Sequence, residues 1–186
     1  PLYSSAASDV YKRQPDNRIF FSEDDPNLVA LERLENTYTK NDNLFILVAP
    51  KNGNVFEPKV LEVIRNLTKD LWQTPASSKV DSITNFQWTR ADGDDIVISD
   101  LVPAGTITEA TDLNAKKVAL DEPLILNSLI SSDGKFTGIN ITFIKPDDSV
   151  EAGNTVIKIM SHIRPIQKSL AEKHPDIKFY VTGGVP

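Results

Sequence analysis

The chain contains no cysteine, one methionine and two histidines among its 186 residues. Without cysteine there is no disulfide and no thiolate metal site. Its formal charge is −6 and its pI is about 4.9, so it lacks the basic excess with which a protein holds nucleic acid. The same deficit excludes a polybasic patch for an anionic lipid surface. No window approaches the roughly 18 apolar residues of a membrane-crossing helix. Short-period repeats and low-complexity tracts are absent as well.

The usual catalytic patterns are also missing. His162 and His174 stand twelve apart on or near one helical stretch, whereas metal-binding helical pairs stand about four apart; both read as solvated helix residues. Asp92, Asp94 and Asp95 suggest a calcium loop. However, a register starting at Asp92 puts Ile96 at the fifth position and Pro103 at the twelfth, and neither offers a side-chain oxygen. An acidic turn is the simpler reading. Gly183-Gly184 lacks the further glycines and the lysine of a phosphate loop, and no serine sits in a G-x-S-x-G elbow. The residues therefore assign no catalytic group, no metal and no cofactor, and the chain is not expected to be an enzyme.

What is present is a hydrophobic content of 40%, enough for a real core in one domain. The organising stretch is 36–50, NTYTKNDNLFILVAP. Its second half, 44–49, is the longest uninterrupted apolar run. Turn formers bound it: Asn41, Asp42 and Asn43 before, Pro50, Asn52 and Gly53 after. Such a run reads as a central strand buried on both faces.

Upstream, 1–14 (PLYSSAASDVYKRQ) has no periodicity and no signal-peptide shape. Its DVYKRQ resembles the translation of a transposon end used in preparing sequencing libraries, so 1–14 is expected to be adaptor read-through or a disordered arm. The abrupt ends at Pro15 and at VTGGVP are expected to mark a truncated piece. Asp24, Asp25 and Pro26 open an amphipathic helix carrying Leu28, Leu31, Leu34 and Tyr38, which with its linker occupies 15–42. After the central strand, Glu57-Pro58 begins a helix with Val60, Leu61, Ile64, Leu67 and Leu71 on one face. The segment 79–86 alternates as a strand.

Residues 87–123 read as an irregular insertion, with a turn at 92–95, a short strand at 96–102 and a helix at 108–120. Few apolar residues anchor it, so it is expected to be the most mobile part. The segment 124–130 fits either strand or helix. Asp133-Gly134 is the strongest hairpin signal. It leads into a strand, 136–144, whose more apolar face carries Thr137, Ile139, Ile141 and Phe143. A helix over 153–174 turns Val156, Ile157, Met160, Ile163 and Leu170 inward, and Pro165 should kink or break it. The segment 177–181 is a last strand.

Without the first helix and the insertion the order is strand, helix, strand, strand, helix, strand. This is the α+β, ferredoxin-like split βαβ pattern (βαββαβ), a four-stranded antiparallel sheet with two helices on one face, assigned to 43–186. Two tryptophans invite a functional reading, Trp72 at the end of the second helix and Trp88, next to Phe86, where the insertion begins. Phe86 and Trp88 are the pair expected to wall a hydrophobic substrate; core or rim packing is the plainer alternative.

Five segments together resemble the first extracytoplasmic loop of exporters of the resistance-nodulation-division (RND) superfamily, in its MMPL-like branch. They are RIFFSEDDP (18–26), LERLENTYTKNDNLFILVAP (31–50), SSKVDSITNFQWTRADGDDIVISDLV (77–102), SLISSDGKFTGINITF (128–143) and IKFYVTGG (177–184). The colinear pattern spans 15–186. The resemblance implies a ferredoxin-like porter domain on the periplasmic side of a bacterial inner membrane. Its partners would be the parent protein's own transmembrane helices, a second porter domain and a lipid or other hydrophobic or amphiphilic substrate, and assembly as an oligomer is compatible with it. It also implies transport driven by the proton-motive force, with proton-carrying residues in membrane helices outside this sequence. Two other readings compete: a free-standing ferredoxin-like binding or regulatory module, and a small hydrolase of the acylphosphatase sort. The hydrolase would need a phosphate-cradling loop at 51–57, and KNGNVFE contains no arginine.

Overall fold

The computed structural model describes residues 41–144, 146 and 149–183. The expectations for 1–40, including the adaptor segment, the RIFFSEDDP segment and the first amphipathic helix, lie outside the described residues, as do Gly184 to Pro186. What is described is an α+β unit of six strands and three helices, with its strands in two antiparallel sheets.

Strand β1 (Asn41–Pro50) is central. It pairs antiparallel with β5 (Thr137–Ile144) on one edge and with β6 (Ile177–Gly183) on the other. Strand β2 (Ser77–Asp81) pairs with the far edge of β5, through a bulge between Ser77 and Lys79. The order across the sheet is β2-β5-β1-β6. Side chains alternate, as a pleated strand requires. Leu44, Ile46 and Val48 of β1, Ile139, Ile141 and Phe143 of β5, and Val80 of β2 are all buried in one core. The alternate positions of β1, Phe45 and Leu47, are only half-buried. The expectation of a strand buried on both faces therefore gives way: one face of the sheet is covered fully and the other in part. The expected face of β5 holds.

Helix α1 (Pro58–Leu71) starts on proline, where a missing N–H is harmless, and ends with Lys69 near its carbonyl end. All five predicted core residues of this helix are buried, and Val63 joins them. Helix α3 (Ser149–Lys173) runs through Pro165 without a break. Proline leaves the Ser161 carbonyl without its ladder donor. Residues on both sides of Pro165 pack on the core, Ile159 and Ile163 before it and Ile166 and Leu170 after it, and hold the helix together. The inward face needs one correction. Ile157 is 65% exposed and Ile159 is fully buried, because the buried stripe of α3 runs through 156, 159, 160 and 163. No helix among the described residues is long and apolar enough to cross a membrane.

The predicted strand 79–86 divides in two. After β2, Ser82, Thr84 and Asn85 satisfy the backbone locally and end the ladder. The Asn85 carboxamide oxygen accepts from Ser82 N at 2.8 Å, and its Nδ2 donates to the Val80 carbonyl at 2.7 Å. Ser82 Oγ, buried, lies 2.9 Å from Thr68 Oγ1 on α1 and 2.8 Å from Thr84 Oγ1. Next come strands β3 (Gln87–Asp92) and β4 (Asp95–Asp100), a two-stranded hairpin of its own. Its turn, Gly93-Asp94, has a positive φ at the glycine alone, the type II′ pattern. The two-residue hairpin thus falls here. Asp133-Gly134 instead closes a turn that enters β5 beside a single bridge, Ile130 to Thr137. The 124–130 segment is neither strand nor helix but a series of turns with isolated bridges.

Helix α2 (Glu109–Asp121) is capped by Thr108, whose hydroxyl accepts from Thr111 N at 3.3 Å. It packs on α1 through Ala115 and Ala119, both fully buried. Leu101 and Val102 are buried too, and Arg65 of α1 donates from Nη1 to the carbonyls of Pro103 (2.9 Å) and Gly105 (2.8 Å). The insertion is tied to the core by a small set of apolar side chains, Leu101, Val102, Ala115 and Ala119, in keeping with the expectation of few apolar anchors.

Two measurements follow from this packing. Leu101→Ala should lower stability by about 2–5 kcal/mol, the range for emptying a well-packed core site. Urea unfolding would check it, and a loss under about 0.5 kcal/mol, typical of a surface site, would mean that the insertion is a mere appendage. Asp133 has its carboxyl held down from 3.8 to about 2, first by the Ser131 hydroxyl and then by the Lys135 backbone N–H. A depressed carboxyl stabilises the fold above its unfolded value and loses that contribution as pH falls through its folded value. The stability gap between wild type and Asp133→Asn should therefore be full above about pH 4 and close toward pH 2, followed by unfolding at each pH.

Candidate binding cleft on the open face of the sheet

The face of the sheet turned away from the buried side chains is built by strand register. Asp81, Asn140, Phe45 and Thr182 form one row across β2, β5, β1 and β6. Lys79, Thr142 and Asn43 form the row on one side, and Gly138, Leu47 and Tyr180 the row on the other. Where β2 has ended, the chain at Leu129 takes its place beside β5: the Leu129 carbonyl accepts from Gly138 N at 2.8 Å and from Thr137 Oγ1 at 2.7 Å.

Over this face lies a cleft of about 400 Å³. Its floor is Phe45, Asn140, Lys79 and Asp81 from the sheet. One wall is Ser82, Asn85 and Phe86, held by the Asn85 hydrogen bonds; the other is Leu124, Ile125, Ser128 and Leu129. The Phe86 backbone is fixed by Leu101 N, which donates to its carbonyl at 2.8 Å. Lys79 Nζ and Asp81 Oδ1 are 3.0 Å apart, with side chains 65% and 33% exposed. A pair so open to water adds little to stability, but it makes the lining neutral overall. The Asn140 side-chain amide is half-buried and bonds to no other described residue.

The place of Phe45 on the cleft floor depends on Gly138 having no side chain. A Cβ there would fall 1.7 Å from Cζ of Phe45 and within 2.5 Å of both neighbouring ring carbons. The end of the Phe45 ring thus occupies the space that a side chain at 138 would fill.

Of the two aromatics singled out in the sequence, Phe86 lines this cleft and Trp88 does not. Trp88 stands on the hairpin, half-buried, with the Arg90 guanidinium 5.0 Å from its ring centroid, a cation–π distance. Trp72 is at the end of α1 and 44% exposed. Sequence reasoning missed Phe45, Asn140 and Leu129. The alternation of β5 was the one signal for Asn140; Phe45, inside an uninterrupted apolar run, and Leu129 carry no local mark. The histidines are not simply solvated: His162 Nε2 and His174 Nδ1 are buried without a partner. Among the described residues no group of three or more His, Cys, Asp or Glu side chains could hold a metal ion. The 51–57 loop spends its polar groups on itself, through Asn52 to Glu57 and through the Asn52 and Asn54 side chains to backbone N–H groups. The cleft sets aromatic, aliphatic and polar side chains side by side, and its lining brings no nucleophile–base pair together.

Compared with known proteins, the chain matches no family model and no curated protein sequence.

Gly138→Ala should destabilise the chain by about 1–3 kcal/mol, the cost of overpacking. In the background of Phe45→Ala the same substitution should cost much less. A double-mutant cycle by chemical denaturation measures the coupling; additive effects would show that ring and glycine do not depend on each other.

Proposed function

We propose that this chain is an extracytoplasmic porter domain of an exporter of the RND superfamily, MMPL-like branch, and that the open face of its sheet looks onto the substrate path. The observation that carries the reading is the strand order β2-β5-β1-β6, with α1 leading from β1 to β2 and α3 from β5 to β6. This order supports a ferredoxin-like split βαβ core, with the β3–β4 hairpin and α2 inserted between its second and third strands. A core of that kind is what the sequence resemblance implies. The cleft adds support, since it offers aromatic and aliphatic surface to a hydrophobic or amphiphilic cargo.

In this reading the domain performs no chemical step. It moves as a rigid body against a second porter domain, opening and closing a path, while protons are carried by membrane helices of the parent protein in a bacterial inner membrane. The hairpin, with Trp88 and Arg90 on one face and the exposed Ile96 and Ile98 on the other, is its partner-facing projection.

Sequencing the genomic locus across both ends tests the proposal. Apolar runs of about 20 residues are expected before Pro15 and after Pro186. A start codon near Pro15 with an early stop after Pro186 would overturn the transport reading in favour of a free-standing ferredoxin-like module.

A further inference from the structure

Three features of the cleft together define what it would hold. The first is size. Its 400 Å³ equals the liquid volume of about a dozen waters, so the occupant has about a dozen non-hydrogen atoms. The second is charge. The ionisable groups of the lining are Lys79 and Asp81, and they neutralise each other at 3.0 Å. An ionic ligand would have to break that pair to gain one of its own. The third is the Asn140 amide, half-buried on the floor between Asp81 and Phe45, with its donors and acceptor unused by any described residue. A carboxamide can pair with a group that both donates and accepts. Beside it, Phe45, Phe86 and Leu129 offer apolar surface.

We infer that the cleft binds a small uncharged amphiphile, its amide or hydroxyl head on Asn140 and its apolar body against Phe45 and Phe86. This specifies a cargo class for the site proposed above and rests on that reading for its role in export, though binding itself does not. The water-exposed salt bridge is too weak to select for neutrality by itself; the selection comes from Asn140, whose amide pairs fully with a head that both donates and accepts, whereas a carboxylate only accepts and an ammonium only donates. Leaving a polar group buried under an apolar ligand without a partner is costly, so a plain hydrocarbon is the poorer occupant.

The test is a nitrogen-15 NMR titration of the whole 186-residue chain at pH 7 with three eight-carbon probes: octanamide, octanoate and octylammonium. Octanamide should saturate with a dissociation constant of about 1 mM or below, as expected for a ligand of about ten heavy atoms. Its shifts should cluster at Phe45, Phe86, Leu129 and Asn140, and either ion should bind at least tenfold more weakly. Asn140→Asp keeps the side-chain size and makes the lining anionic, so octylammonium should then bind more tightly than octanamide. Asn140→Leu should weaken octanamide at least tenfold, and the unchanged dispersion of its spectrum would show that the fold persists. Absence of saturation, shifts elsewhere on the surface, an ion binding as tightly as the amide, or an unchanged order in Asn140→Asp would each overturn the inference. Such a failure leaves the exporter reading standing if the flanking apolar runs are found. Specific binding without those runs would sink the exporter reading and keep the site.

Discussion

The structure depends on β1 being paired along both edges. A strand whose backbone N–H and C=O groups are taken by β5 on one side and β6 on the other can lie in the middle of the molecule without an unsatisfied polar group. Its register then sets everything else. Because side chains alternate with a period of two, placing Leu44, Ile46 and Val48 toward α1 and α3 puts Phe45 and Leu47 on the opposite face. A slip of one residue would exchange the two sets, leaving the aliphatic ones half in water. The helices cover one face, so the sheet has a packed side and a side that is only partly furnished.

That asymmetry is what makes a site available. The packed face is filled by close contact and has no room for a ligand. On the open face the side chains are sparser and more polar, and the chain adds two walls: the 82–86 loop, stiffened by Asn85, and the 122–130 turns, tied to β5 through the Leu129 carbonyl. Both walls come from the parts of the chain that leave the regular strand and helix pattern. The floor, by contrast, is Phe45, Asn140, Lys79 and Asp81 of the sheet itself, so core and cleft share the same strands and the same register.

The insertion shows the same division. Its polar composition hides the few residues that matter, Leu101, Val102, Ala115 and Ala119, which are buried against the main core. Arg65 fixes its path by donating to two carbonyls. By contrast, the β3–β4 hairpin leaves Ile96 and Ile98 in solvent, and its cross-strand pairing depends little on the rest of the unit.

The sequence by itself determined the elements whose signals are local. The five apolar positions of α1, the alternation of β5 and the Thr108 cap of α2 follow from periodicity and from side chains that act within four residues of themselves. β1 was legible as a strand too, but its uninterrupted apolar run reads as buried on both faces and hides the half-open one, since the helices that cover one side only are placed by distant parts of the chain. Tertiary structure alone decided that Ile159 rather than Ile157 turns inward, that α3 passes Pro165 unbroken, and that Ser82 to Asn85 end a strand instead of continuing it. It alone seats Phe45 on Gly138 and brings Asn140 under Phe86 and Leu129, because these residues meet through the register of strands far apart in sequence. A local pattern can say that a residue points away from the core; only the pairing of strands says what it points at.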